Sequence, residues 1–187
     1  MEFYKVLKNQ NFVNGNYSIV PIRYEDRFDI MKWRNEQIYH LRQNKPLTVE
    51  DQDLYFQTVV SKLFNDDKPS QILFSFLKNN ICIGYGGLVH INWIDRNAEI
   101  SFVMNTNLEK EYFQFYWESY LALIEKVAFV ELNFHKIFTY AFDLRSKLYV
   151  ALENSNYLKE AVLKEHCLFE GVFIDVVIHS KINSAIG

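Results

Sequence analysis

Between Gln71 and Met104 the chain reads QILFSFLKNNICIGYGGLVHINWIDRNAEISFVM, and this stretch limits the possible folds more than any other. Its β-branched and aromatic residues, broken by turn chemistry, predict three consecutive strands over 71–78, 81–92 and 97–104. Asn79-Asn80 suits a tight reversal because asparagine tolerates positive φ, and Ile94-Asp95-Arg96-Asn97 supplies the second turn. Glycines at 84, 86 and 87 sit inside the middle strand, where they signal a bulge or a close approach to the backbone. The period then changes. From Glu109 to Leu132, apolar residues fall at Phe113, Tyr116, Trp117, Tyr120, Leu121, Ile124, Val127 and Ala128, the three-and-four spacing of a helix facing a core. A three-stranded meander followed by a long amphipathic helix must bury one face of the sheet under that helix.

The flanks add elements of both kinds. Tyr17–Arg23 reads as a strand in which Pro21 suits an edge or an end. Residues 25–39 read as a helix, and Thr48-Val-Glu-Asp51 as a capping box opening a second helix to Phe64. After the long helix come a strand at 136–142, a short helix near 145–155, and strands at 158–166 and 172–182 joined by Glu170-Gly171. Residues 1–15 read as an N-terminal extension carrying one short strand. The expected class is α/β (α+β), one domain over 1–187, with a mixed, mostly antiparallel sheet and helices on both faces.

Composition excludes several roles. With 49% hydrophobic and 17% aromatic residues, the 187-residue chain can build a large core, so disorder is excluded. A net charge of −3 lacks the basic excess of a nucleic-acid binder. No apolar run approaches the ~20 residues that span a bilayer, and MEFYKVLKNQNF lacks the apolar centre of a secretion signal. A cytoplasmic protein without membrane partners is expected. Cys82 and Cys167 read as free thiols, and the five histidines (40, 90, 135, 166, 179) lack metal-ligand spacing.

The order of elements, together with particular stretches, resembles the GNAT superfamily of N-acetyltransferases over about residues 17–182. DLRSKLYVALENSNYLKEAVLKEHCLFEGVFIDVVIHS is similar to the tail of ribosomal-protein and spermidine acetyltransferases, with Asn156-Tyr157 at the family's Gly-Phe and Leu163, Glu165, His166, Gly171, Phe173 and Asp175 fitting its pattern. MKWRNEQIYHLRQNKPLT resembles the first helix and loop of amino-sugar-nucleotide acetyltransferases, and IGYGGLVHINWIDRNAEISFVM the central hairpin. The resemblance implies acetyl-CoA as co-substrate and a small-molecule amine as acceptor, on an amino-sugar nucleotide, a polyamine or a protein N-terminus. The sequence departs from the family at the turn that cradles the coenzyme's pyrophosphate. Leu108–Gln114, LEKEYFQ, has none of the usual glycines and carries Glu109 and Glu111 near the expected phosphates. A catalytically inactive, GNAT-like binding domain is therefore the rival reading.

The resemblance also assigns roles. Backbone groups of Ser101, Phe102, Val103 and Met104 would hold the thioester arm, and Lys110, Glu111, Tyr112 and Phe113 the diphosphate, with Asp143 and Arg145 beside them. Glu99 is the first candidate for the group facing the acceptor amine. His90, whose ordinary pKa suits a base, is the second. The family's acidic tyrosine aligns with Leu152, so Tyr149, one helical turn earlier, becomes the candidate acid. Trp33, Arg34 and Tyr85 would form the acceptor pocket, Arg34 because its planar fork suits phosphate. His166 and Asp175 are expected to pair across the last two strands, and Trp93 and Asn92 to pack at the hairpin end. Tyr112 and Phe115, on the outer side of the long helix, point to self-association as a homodimer.

Overall fold

The computed structural model describes residues 2–186; Met1, part of the expected extension, and Gly187 lie outside the described residues. Eight strands form one sheet: β1 (Phe12–Asn14), β2 (Tyr17–Pro21), β3 (Ile72–Lys78), β4 (Ile81–Asn92), β5 (Asn97–Met104), β6 (Lys136–Phe142), β7 (Leu158–Phe169) and β8 (Val172–Ile182). Their order across the sheet is β1-β2-β3-β4-β5-β6-β8-β7. Every neighbouring pair is antiparallel except β5 and β6. The turn chemistry acts as read. Asn79 and Asn80 have φ of 50° and 67°, Arg96 closes the second reversal at 52°, and Glu170-Gly171 joins β7 to β8 at 49° and 82°.

The helices are α1 (Arg27–Glu36), α2 (Val49–Tyr55), α3 (Ser61–Leu63), α4 (Thr106–Glu125) and α5 (Ser146–Asn154). Thr48 and Asp51 form the expected capping box at α2. A wider π-turn at Phe56–Val60 joins α2 to α3. Adjacent residues of β4 show that α1 and α4 flank opposite faces, because successive side chains of a strand point to opposite sides. The Tyr85 hydroxyl meets Arg34 of α1, whereas a Cβ on Gly86 would lie 2.6 Å from the Tyr120 hydroxyl of α4 and 2.0 Å from the Ser101 carbonyl. That approach accounts for Gly86: the Tyr120 hydroxyl reaches across it to donate to the Ser101 carbonyl (3.0 Å).

The N-terminal extension contributes more than a strand. Besides β1, it inserts Tyr4 into the core, where the hydroxyl donates to the Leu73 carbonyl and accepts from the Leu73 amide, both at 2.9 Å. Asn156 adopts φ 63°, the left-handed state that explains why the family uses glycine there. Tyr157 is buried, as the family's phenylalanine position requires.

Candidate active site

The parallel contact between β5 and β6 lasts three pairs, Asn97↔Lys136, Ala98↔Ile137 and Glu99↔Phe138. Beyond it the strands part while β5 stays paired to β4 as far as Met104. A slot of about 100 Å³ opens in the gap, bordered by Glu99, Ile100, Ser101 and Phe102 on one side and Thr139–Phe142 on the other. His40, Arg42, Arg145 and Leu148 close its ends. The Thr139 hydroxyl is buried on this slot without a hydrogen-bond partner. Where the two strands part, their facing backbone groups no longer pair with each other, which suits a ligand with an amide or carbonyl. The pantetheine arm and thioester of acetyl-CoA carry both groups.

On the far side of β5 lies a cavity of about 610 Å³, lined by Arg34, Lys45, Tyr55, Gln71, Tyr85 and His90 among others. Ser101 borders both spaces, so slot and cavity meet at β5. Glu99 is buried beside this junction, with 6% exposure. Its Oε1 accepts from Arg42 Nη2, and its Oε2 lies 3.8 Å from His90 Nε2. Burial raises the Glu99 pKa, opposed by the charges of Arg42 and His90. His90 sits on an irregularity in the β4–β5 ladder between Val89 and Asn92, with φ 49°. A non-glycine residue held in that conformation beside a buried carboxylate is a strained element of the kind found at functional sites. The structure thus brings together the two candidates for handling the amine, Glu99 and His90.

A third cavity, about 460 Å³ and polar, surrounds the start of α4 and is lined by Lys32, Trp33, Glu36, Asn105, Glu109, Lys110 and Lys147 among others. The Asn105 side chain caps the helix by accepting from the Asn107 and Leu108 amides at 3.0 and 3.4 Å. Glu109 turns inward, 5% exposed, and lies 3.6 Å from Arg145 and 3.8 Å from Lys147. Arg145 donates to Nε2 of His40 at 3.2 Å. Burial and that guanidinium push the His40 pKa down to about 3, so the ring is neutral. One turn into the helix, Tyr112 leaves helical geometry (φ −134°, ψ 34°). The turn thus has no glycine, a kink at Tyr112, and the basic side chains of Arg145, Lys147 and Lys110 around it.

Several expectations need correction. Tyr149 does not border the slot: its hydroxyl donates to Asp143 at 2.8 Å and its ring stacks on His179. Burial and that carboxylate raise its pKa, and Leu148 takes the slot position instead. Asp143 is thereby committed to Tyr149. Trp33 is buried at the polar cavity by α4, while Arg34 and Tyr85 alone of the predicted trio face the large cavity. Glu111 is exposed and lines none of the three cavities. The Met104 carbonyl accepts from Gln37 Nε2 at 2.7 Å, and neither Val103 nor Met104 borders the slot. Phe113 contributes a buried ring beneath Lys147 (4.2 Å). His166 and Asp175 do not pair: Asp175 holds Lys164 and the Glu165 amide, and His166 packs on Tyr140. Sequence reasoning missed Gln37, His40, Arg42, Thr139 and Tyr140. The one available signal was the pair of cations in the loop LRQNK.

Residues 19–178 match the family model described as Acetyltransferase (GNAT) domain, so the chain belongs to the GNAT acetyltransferases, enzymes that move acetyl from acetyl-CoA to an amine. No curated protein matches it by sequence. Among solved structures, a spermidine N-acetyltransferase from Vibrio cholerae in complex with CoA and spermine superimposes with a TM-score of 0.79 at 17% identity, covering 91% of this chain and 98% of that one. A dodecameric structure of spermidine N-acetyltransferase from the same organism gives 0.74 at 20% identity, covering 92% and 97%. A putative acetyltransferase gives 0.71 at 14% identity, covering 94% and 87%. No helix among the described residues is long and apolar enough to cross a membrane.

Proposed function

We propose that this chain transfers acetyl from acetyl-CoA to a primary amine carried on an anionic molecule, of which an amino-sugar nucleotide is the leading example. The coenzyme brings an activated thioester. The chain's residues do the rest: the β5 and β6 backbones and Thr139 hold the arm, and Arg145, Lys147 and Lys110 face the diphosphate. Glu99 and His90 receive the amine's proton, directly or through water, at the junction of slot and cavity. Tyr140 borders the slot on β6, its hydroxyl 3.6 Å from Cys167 and its pKa pushed up to about 12 by burial and that contact. Tyr149 does not border the slot.

The observation that carries the acceptor class is the state of Arg34. This half-buried guanidinium lines the large cavity, and its partners are neutral: Nε donates to Gln43 at 2.9 Å and Nη1 to the Tyr85 hydroxyl. Among the described residues no carboxylate lies within salt-bridge distance of it. Lys45 adds a second cation, and the one carboxylate on the lining, Asp51, is bound to the Thr48 amide in the capping box. A cation without a counter-ion, aimed into a cavity of this size, suits a phosphate or carboxylate on the acceptor. The spermidine N-acetyltransferases of like fold support a polyamine acceptor instead. The cavity's charge weighs against that alternative.

The test is an amine panel assayed for thiol release, pairing each amine with a phosphorylated or carboxylated counterpart. The anionic member should be preferred, and Arg34→Met should raise its KM by roughly 30- to 100-fold with little change for the neutral member. Preference for triamines, unchanged in Arg34→Met, would overturn the acceptor reading. Association of copies through the exposed Tyr112 and Phe115 belongs to the same proposal. Sedimentation of a Phe115→Ser variant tests it: a mass unchanged from wild type removes this face from any interface.

A further inference from the structure

We propose that Arg42 occupies the cation seat on Glu99 and thereby excludes polycationic amines, making it the residue that sets acceptor charge. The proposal rests on the acetyltransferase reading for its meaning, although its test does not require turnover. Glu99 is the buried carboxylate at the junction of slot and cavity, and an acceptor ammonium would be drawn to it first. Its two oxygens are already divided. Oε1 holds the Arg42 guanidinium, and Oε2 faces His90 at 3.8 Å, on the side of the large cavity.

The Arg42 side chain is half exposed, but its head group is held at Glu99. Its guanidinium lies over the Tyr140 ring, 4.7 Å from the centroid, a cation–π placement that fixes it across the slot mouth. The loop carrying it is tied down just after the residue. Gln43 donates to Asn35 Oδ1 at 3.1 Å and to the Lys45 carbonyl at 3.0 Å, and it accepts from Arg34. The Leu47 amide donates to Asn35 at 2.8 Å. The same short segment therefore carries the cation on Glu99 and braces the cation that faces the acceptor cavity.

An ammonium arriving at Glu99 must displace Arg42 or share the carboxylate with it, and two cations at contact distance repel each other. A neutral amine meets neither cost. It finds an ionised carboxylate and an imidazole side by side, while its anionic portion is drawn to Arg34. The charged groups facing Glu99 are Arg42 from the loop after α1, His90 from β4 and Tyr140 from β6. Removing Arg42 leaves a buried carboxylate without its principal partner, and such a site recruits an external cation.

The test is calorimetric titration of spermidine at low ionic strength and pH 8 into wild type, Arg42→Met, Arg42→Lys and Arg42→Met/Glu99→Gln. Methionine keeps an unbranched stem against Tyr140 but carries no charge. Arg42→Met should bind spermidine at least about tenfold more tightly than wild type, and Arg42→Lys as weakly as wild type. The double variant should lose the gain, which localises it to Glu99. Equal affinities for wild type and Arg42→Met overturn the proposal, as does a gain that survives Glu99→Gln. Should Arg42→Met fail to fold, Glu99→Gln alone decides. It leaves spermidine binding unchanged if Arg42 fills the seat, and weakens it if an external ammonium does. A thermal-shift titration with acetyl-CoA on the same samples keeps the two readings apart. Its failure counts against the coenzyme site, and the spermidine comparison still decides the role of Arg42.

Discussion

Replacing Glu109 by glutamine should weaken the free protein and strengthen its grip on coenzyme, two effects of opposite sign from one substitution. The carboxylate lies 3.6 Å from Arg145, whose side chain is 12% exposed, and 3.8 Å from Lys147, which is half exposed. At an effective dielectric near 20, a charge pair at the first distance is attracted by about 5 kcal/mol before desolvation is subtracted. The exposed Lys147 adds no more than about 1 kcal/mol. Removing one partner of a largely buried pair leaves the other charge uncompensated, and measured costs run to about 3–5 kcal/mol. Glutamine keeps the shape and an amide oxygen, so a loss of about 2–3 kcal/mol is expected from urea unfolding of the free protein. The same charge competes with a diphosphate for Arg145, and its repulsion of each phosphate charge is on the order of 1 kcal/mol. Calorimetry should therefore give acetyl-CoA a Kd about five- to tenfold lower in Glu109→Gln than in wild type. A tenfold higher Kd would refute the reasoning, for it would mean that Glu109 arranges Arg145 for the phosphates and does not compete with them.

Glu99→Gln should cut kcat by about 10²- to 10³-fold with the KM for acetyl-CoA unchanged. Because burial raises the Glu99 pKa above its ordinary 4.5, the step that Glu99 contributes to the acid limb of kcat should fall above that value in wild type and be missing in the variant. Tyr149→Phe should change kcat less than about threefold, since the hydroxyl serves Asp143; a tenfold loss would return it to the site. His40 is neutral in the folded state down to about pH 3, whereas the unfolded chain protonates it near 6.5. Stability should accordingly fall as pH drops below that unfolded value, with His40 contributing about 2 kcal/mol of the loss by pH 5. Urea denaturation of His40→Gln at pH 7 and pH 5 should show that share of the acid sensitivity removed.

The sheet was legible in the chain because its signals are local. Alternation, asparagine and glycine turns, and the 3.6-residue stripe of α4 each act within a few residues, and each appears where it was read. Residues 1–15 were under-read: a tyrosine that bonds Leu73, 69 residues away, leaves no local trace. The site divides in the same way. Glu99, Arg34 and Tyr85 lie on regular elements whose facing follows from strand or helix period, whereas His90, on the β4 irregularity, was picked out by its residue type. Arg42 and His40 lie between α1 and α2, where no period says which side chain folds over β5. The α4 turn was legible only in part for a related reason: sequence shows that Glu109 is acidic, but not that it turns inward toward Arg145. Tyr149 was placed by counting along α5, and a single residue of rotation gives the slot to Leu148.

Amide hydrogen exchange with and without saturating acetyl-CoA tests most directly whether the gap between β5 and β6 is the coenzyme's seat. Slowed exchange is predicted over Ile100–Phe102, Thr139–Phe142 and the turns around Tyr112, with the cavity lining near Tyr55 and Gln71 unaffected. Exchange in those segments that stays the same at millimolar coenzyme would contradict it.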